Sequence, residues 1–185
     1  ISASSLTASH FVGFTHVAEV DQTITGGATD DSMYGGDAND VIYGLAGNDT
    51  LSGGGGNNTL VGGTGNDSLV GGVSGDVYQF QAGDGADWIT DTNGVNHIKF
   101  ADSTNMQNIS IDRSGNHMVI HYGQSDQITI QDMYTSGGAN QGYVSDIQFN
   151  DTTTLSLNSV FISTGTANAD SLMGSSSNDY MYGFA

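Results

Sequence analysis

Cysteine and proline are absent from this chain, and basic side chains nearly so. Without cysteine there is no disulfide framework and no thiolate site for a soft metal. Without proline there is no Asp-Pro bond to cleave itself. Lys99 and Arg113 are the whole positive complement against 20 acids, and the net charge is −18. Two cations cannot form a nucleic-acid patch. Anionic membrane surfaces repel such a chain unless a divalent cation bridges them. No apolar run is long enough for a membrane-spanning helix, so no membrane insertion is expected. Residues 1–7 lack the basic and apolar regions of a secretory signal. No G-x-S-x-G elbow, H-E-x-x-H pair or P-loop occurs, so the chain is not expected to be an enzyme. Acid pairs such as Asp30–Asp31 read as turn residues or ligands rather than an acid–base couple. The 185 residues suffice for one or two compact units. They begin without Met and stop inside a motif, which suggests an excised piece of a longer protein.

What the chain does contain is glycine and aspartate in register. Six nonapeptides run head to tail from Gly26 to Gln79: GGATDDSMY, GGDANDVIY, GLAGNDTLS, GGGGNNTLV, GGTGNDSLV and GGVSGDVYQ. Each opens with Gly and closes with a short strand-like triplet. Position six holds Asp31, Asp40, Asp49, Asn58, Asp67 and Asp76; position eight holds Met33, Ile42, Leu51, Leu60, Leu69 and Tyr78. A disordered Gly/Asn-rich linker would account for the composition but not for this register.

The period has a physical reading. An extended triplet such as Ser68-Leu69-Val70 pairs with its equivalent in neighbouring coils, and only its middle side chain points inward. The Gly-rich half turns the chain back, and 16 of the 28 glycines lie between Gly26 and Gly75. Two nonapeptides make one coil, so residues 18 apart stack on one edge. One edge collects Asp31, Asp49 and Asp67; the other collects Asp40, Asn58 and Asp76. Carboxylates stacked about 4.8 Å apart repel each other. One inward apolar residue per nonapeptide is too little core to offset that repulsion. Carboxylates and backbone carbonyls are hard oxygen donors suited to Ca²⁺.

On these repeats the chain closely resembles the RTX family, the haemolysin-type calcium-binding repeats. The resemblance implies an all-β fold: a right-handed parallel β-roll with calcium between its turns. It implies that each ion takes the sixth-position Asp of two same-edge turns plus carbonyls of the Gly-rich halves. The carbonyls so implied are those of Gly35, Asp37, Gly44, Ala46, Gly53, Gly55, Gly62 and Thr64. About five Ca²⁺ ions are expected in all. Asn58 departs from the pattern, and its site is expected to be weaker or missing. Leu45 stands where the other five nonapeptides have Gly, and is tolerable if that position keeps φ below zero. The third positions form no threonine row of the ice-binding kind. Asn39, Asn48, Asn57 and Asn66 at position five are expected to satisfy their turns through the left-handed region. The resemblance further implies a secreted or cell-surface bacterial protein exported by a type I secretion system, with a C-terminal signal outside this sequence.

The division expected is an N-terminal cap segment (1–25), the roll (26–90), a small antiparallel β cap or sandwich (91–163) and the truncated start of a second roll (164–185). The cap segment carries Phe11, Val12, Phe14, Val17 and Val20. Residues 80–91 look like the closing turn of a roll, with Asp87 a further ligand candidate. Its spacing of 11 from Asp76 marks that site as irregular. Trp88 is expected at the junction. Beyond it, apolar residues alternate with polar ones: Ile98 and Phe100; Ile109 and Ile111; Met118, Ile120 and Tyr122; Ile128 and Ile130; Ile147 and Phe149; Leu155 and Leu157. Short strands separated by Gly, Asn and Asp indicate an antiparallel sheet that covers the roll's open end. His117 and His121 face outward about 13 Å apart on one strand, too far to share a metal. His10, His16 and His97 have no evident partners.

Residues 164–185 echo residues 25–46 at a constant offset of 139, which aligns Asp170 with Asp31 and Asp179 with Asp40. Either the parent is a tandem array with a unit near that length, or a second roll simply starts alike. Asp170 and Asp179 are metal candidates of half-formed sites. The expected partners are calcium and neighbouring repeat units of the same chain, with a glycan or cell surface as a further class.

Overall fold

The computed structural model describes residues 20–91, 93–134, 141, 143–157, 161–164 and 179–182. The expectations placed on His10, Phe11, Val12, Phe14, His16, Val17 and Asp170 lie outside the described residues. Each nonapeptide triplet forms a strand that runs on into its glycines. These are β2 (Ser32–Gly36), β3 (Val41–Ala46), β4 (Thr50–Gly54), β5 (Thr59–Thr64), β6 (Ser68–Gly72) and β7 (Val77–Phe80). A shorter β1 (Thr23–Thr25) precedes them, and β8 (Ala86–Ile89) and β9 (Asn96–Phe100) follow. The chain alternates between two sheets, and every pairing from β1 to β9 is parallel. Ser68 pairs Thr50, which pairs Ser32, so the pitch is 18 residues per coil, as the spacing requires.

The parallel stack outlasts the nonapeptides. Leu69 pairs Ile89 and Tyr78 pairs Ile98, a pitch of 20 residues. A 3₁₀ turn over Met106–Asn108 then leads into β10 (Ser110–Ser114), β11 (His117–Tyr122) and β12 (Asp126–Ile130), an antiparallel meander. Its last strand returns to lie parallel against β8. In the other sheet β13 (Val144–Gln148) lies parallel to β9 and carries antiparallel β14 (Thr154–Ser156) on its far side. The antiparallel strands are thus added to the two sheets of the roll, whose coil continues through β12 and β13. Each of the alternating apolar runs read from the sequence falls on or beside one of these strands. Finally β15 (Phe161–Thr164) pairs in parallel with β16 (Asp179–Tyr182), again at a pitch of 18.

One core runs the length of the stack. In the first sheet Ile24, Ile42, Leu60, Tyr78, Ile98, Ile147 and Leu155 are successive neighbours. In the second the file is Met33, Leu51, Leu69, Ile89, Ile130 and Met118. Most of these side chains are fully buried, as position eight predicts. The core widens at the far end, where Tyr122 meets Phe80 and Phe100, and Phe100 stacks on Phe149 at 5.8 Å.

Position two of the nonapeptide is left-handed. Gly36, Gly54, Gly63 and Gly72 have φ between 95° and 123°, and Leu45 follows them at 82°. The condition on which Leu45 was to be tolerated therefore fails. Its side chain is half exposed and accepts the backbone strain without a place in the core. A left-handed non-glycine residue costs about 1–2 kcal/mol, part of which glycine returns as chain entropy. Leu45→Gly is expected to raise the urea midpoint in saturating calcium, by up to about 1 kcal/mol. Gly63→Ala is expected to lower it by at least about 1–2 kcal/mol, because its Cβ would also collide with the Leu45 carbonyl.

Candidate metal centres

Position six is held from three sides. Its N–H donates to the side chain of position six one coil later. Its carbonyl accepts the N–H that follows that later residue. Its own side chain reaches back to the coil before. On one edge Asp31 N donates to Asp49 Oδ1 at 2.8 Å, Asp49 N to Asp67 Oδ1 at 2.8 Å and Asp67 N to Asp87 Oδ1 at 2.9 Å. On the other, Gln22 N donates to Asp40 Oδ1, Asp40 N to Asn58 Oδ1, Asn58 N to Asp76 Oδ1 and Asp76 N to Asn96 Oδ1, at 2.7–2.9 Å. The two edges read from the sequence are therefore the edges that form. Asp87 follows Asp67 on the first edge, across a coil lengthened to 20 residues, so the irregular spacing read from the sequence is a longer coil. Asn96 continues the second edge, and its signal was the nine-residue step from Asp87 that restores the nonapeptide spacing.

One oxygen of each carboxylate is thereby spent on backbone. The other is stranded: Oδ2 of Asp40, Asp49, Asp67, Asp76 and Asp87 is buried without a hydrogen-bond partner. Beside the opening glycines Gly35 and Gly44 these oxygens face a carbonyl oxygen. A Cβ on Gly35 would meet both Asp40 Oδ2 and the Gly53 carbonyl; one on Gly44 would meet Asp49 Oδ2 and the Gly62 carbonyl. Two oxygens flank a space too small for a methyl group.

Asn58 supplies the internal control. Asp40 N–H fixes its Oδ1, so Nδ2 takes the branch that is stranded elsewhere. There it donates to Gly55 O at 3.1 Å, Gly56 O at 3.3 Å, Gly71 O at 3.5 Å and Asp76 Oδ1 at 3.0 Å. Four acceptors converge on this amide and share its two N–H groups. The same position in the aspartate coils offers a carboxylate and carbonyls, the donor set of a hard divalent ion. Among the described residues no three carboxylate or imidazole groups form a cage by themselves, so carbonyls must complete any such shell.

The comparisons with known proteins agree with this geometry. The RTX calcium-binding nonapeptide repeat, in 4 copies, matches residues 20–51, 52–78 and 164–185. The haemolysin-type calcium binding protein related domain matches residues 117–159. Residues 20–78 and 164–185 are RTX calcium-binding repeats. No curated protein sequence matches it. Among solved structures it is similar to the extracellular lipase LipA from Serratia marcescens, with 24% identity and a TM-score of 0.48 over 66% of this chain. That match spans 20% of the lipase chain.

The remaining expected residues fall into place around the RTX coils. Asp31, at the open end, accepts Gly27 N at 2.6 Å and is only half-buried. Of the implied carbonyls, those of Gly53 and Gly62 face stranded carboxylates, and that of Gly44 faces Asp31 Oδ2. Gly35 O accepts the Gln22 side-chain amide, Gly55 O the Asn58 amide, and Thr64 O the N–H of Gly47. Asp37 O lies against Gly55 in the next coil, and Ala46 closes β3. Asp179 opens β16. The position-five asparagines do not enter the left-handed region. They build a second ladder instead, in which Asn57 N donates to Asn39 Oδ1 and Asn66 N to Asn48 Oδ1. Three further acids, Asp84, Asp91 and Asp126, are also buried. Asp91 accepts from the Tyr78 hydroxyl at 2.6 Å and pushes up the pKa of Asp76.

The described histidines lie on strands, His97 on β9 and His117 and His121 on β11. His97 does have a partner: its Nδ1 lies 2.9 Å from Asp146 Oδ2, a pairing that only the β9–β13 register creates. His121 Nε2 lies 3.2 Å from Asp112, and His117 accepts Asp132 N and stands edge-on to Trp88. Trp88 projects from the outer face of β8, where its Nε1 donates to Gln131. No helix of the described residues is long and apolar enough to cross a membrane.

Burial is the largest influence on three of the stranded carboxylates. It pushes Asp67 and Asp76 up to about 6 and Asp87 up to about 8, with neighbouring negative charge adding to the rise. An acid whose pKa is raised on folding binds more protons when folded. Its contribution is fully present below the ordinary value of 3.8 and is lost as pH rises through 6 to 8. In EDTA, the folded fraction by far-UV circular dichroism is therefore expected to increase as pH is lowered from about 8 to about 5. A fraction that is flat or falls over that interval would contradict these shifts.

Proposed function

We propose that this chain is a calcium-driven folding unit of a longer secreted or cell-surface bacterial protein, such as an adhesin. Asp31, Asp40, Asp49, Asp67, Asp76 and Asp87 are its metal-binding side chains. The observation that carries the reading is the row of buried, unpartnered Oδ2 atoms, of which those of Asp40 and Asp49 lie beside carbonyl oxygen. Buried anions without partners disfavour the wound coil, and a divalent cation between the turns reverses the sign of that term. Extracellular modules bind calcium with Kd of about 10⁻⁴–10⁻³ M. At tenfold excess each site adds about 1.4 kcal/mol, so about five sites add roughly 7 kcal/mol. That is comparable to the whole stability of a small domain. At the sub-micromolar calcium of a cytosol the term vanishes. The chain then stays unwound, which suits passage through a type I secretion channel. The repetition at 139 residues favours a structural unit in a series over an appendage of a catalytic domain.

The two edges are unequal in this scheme. The Asp31–Asp49–Asp67–Asp87 edge holds a carboxylate at every step. The other edge alternates Asp40, Asn58, Asp76 and Asn96, and its Asn58 step is closed by its own amide. Asn58→Asp is expected to raise the number of calcium ions per chain in equilibrium dialysis and to steepen the calcium dependence of folding. An unchanged ion count would show that the Asn58 step already binds calcium or cannot.

The principal test is a calcium titration followed by far-UV circular dichroism, with magnesium as control. The expected result is a cooperative rise in β signal at about 0.1–1 mM Ca²⁺ and none with Mg²⁺. A spectrum fully folded in EDTA and indifferent to calcium would rule the proposal out.

A further inference from the structure

Where the meander joins β8, the sheet has an outer face that the calcium edges do not use. Trp88 on β8, Thr129 on β12, Val119 on β11 and Asp112 on β10 stand in one row across it. The row spans three strand spacings, roughly 14 Å. The register beside it holds Gln127 and His121. Val119 and Thr129 alternate with the core residues Met118, Ile120, Ile128 and Ile130, so both face outward. A flat outer face would leave them open to water, yet they are only 8% and 4% exposed. They form the floor of a cleft of about 350 Å³, walled by Trp88, His117, His121 and Asp112. That volume lies at the small end of ligand sites.

The walls are held in place. Trp88 Nε1 donates to Gln131 Oε1 at 3.2 Å, and the same oxygen accepts the Thr90 hydroxyl at 2.8 Å. The His117 ring stands edge-on to the indole at 5.2 Å. Opposite, His121 Nε2 lies 3.2 Å from Asp112 Oδ2. The indole is nevertheless 39% exposed. An aromatic ring that is fixed and still open to water loses little freedom when a ligand covers it. The polar groups around it are a carboxylate that only accepts, a carboxamide that does both, and an imidazole. An apolar ligand would leave them unpaired. An anionic ligand would enter the field of a chain of net charge −18, with Arg113 the single Lys or Arg at the cleft. A sugar ring meets both conditions. Its hydroxyls donate and accept around the rim, and its C–H face suits the negative face of an indole.

We propose that this cleft binds a neutral pyranose ring of a glycan, with Trp88 as the stacking platform and Asp112, His121 and Gln127 as partners for its hydroxyls. Val119 and Thr129 are the floor on which the ring rests. None of these side chains belongs to the two calcium edges. The inference therefore goes beyond the calcium reading and uses it only to keep the chain wound.

Trp88 is the one tryptophan of the chain, so its fluorescence reports on this cleft. The test titrates the whole chain, in saturating calcium, with glucose, galactose, mannose and N-acetylglucosamine and with neutral oligosaccharides of each. Glucuronate and sialic acid are the anionic controls. The expected result is a saturable change in Trp88 emission with at least one neutral sugar, at a Kd of about 1–10 mM for a single ring, and none with the anionic sugars. Asp112→Ala and Gln127→Ala keep the reporter. Each is expected to weaken binding by about tenfold or more while the calcium-induced β signal is unchanged. Trp88→Ala, read by calorimetry, should abolish binding. A folded chain whose emission no neutral sugar changes saturably would overturn the proposal. So would binding that both alanine variants leave intact, or binding of the anionic sugars alone. A chain folded equally well in EDTA would sink the calcium reading and leave the sugar titration to decide this one.

Discussion

Oxygen facing oxygen is the constraint on which this structure turns. Each position-six carboxylate commits one atom to the backbone of the preceding coil, and that bond sets the pitch and locks the edge. The geometry that makes the first atom useful leaves the second buried, beside a carbonyl at Asp40 and Asp49. The coil cannot have one without the other, because both belong to the same planar group. Glycine at the opening position is part of the same bargain, since any Cβ there would occupy the space between the two oxygens. The repeat is thus a solution for backbone order that leaves a charge problem of fixed size at every turn.

The far end of the stack is built on different terms. The early coils have one inward apolar side chain per strand, whereas the last ones add Phe80, Phe100, Tyr122 and Phe149 around the same files. Burial of aromatic area supplies there what coordination supplies along the edges. The outermost strands, β10 and β14, run antiparallel to their neighbours, so neither continues the coil in register. Their edges do not offer the parallel register on which a further coil would be wound.

Much of this was legible because the period is rigid. The acid at position six and the apolar residue at position eight gave the pitch, the edges, the inward files and the asymmetry at Asn58. The alternating runs after residue 96 gave the later strands. What local pattern could not give was their partners. That β12 returns parallel to β8, and β13 to β9, depends on long connections with no periodic signature. The same holds for His97 and Asp146, which meet only through that register. Asp87 looked misplaced because its distance was measured from Asp76, in the other edge; measured from Asp67 it is one lengthened coil. The sign of φ at Leu45 was obscured by identity, since a leucine argues against a left-handed backbone that the stack nevertheless imposes.

The ladder also has a direction. Residue i donates its N–H to the side chain at i + 18, so the acceptor that completes any coil is carried by the coil that comes later in the chain. A polypeptide that emerges with its amino end leading exposes each coil before the residue that finishes it has appeared. One that emerges with its carboxyl end leading brings every coil into contact with a finished neighbour, and the widened aromatic end is there first as a platform. Under the proposed folding scheme, the order in which the chain enters calcium would decide whether winding grows from a nucleus or waits for one.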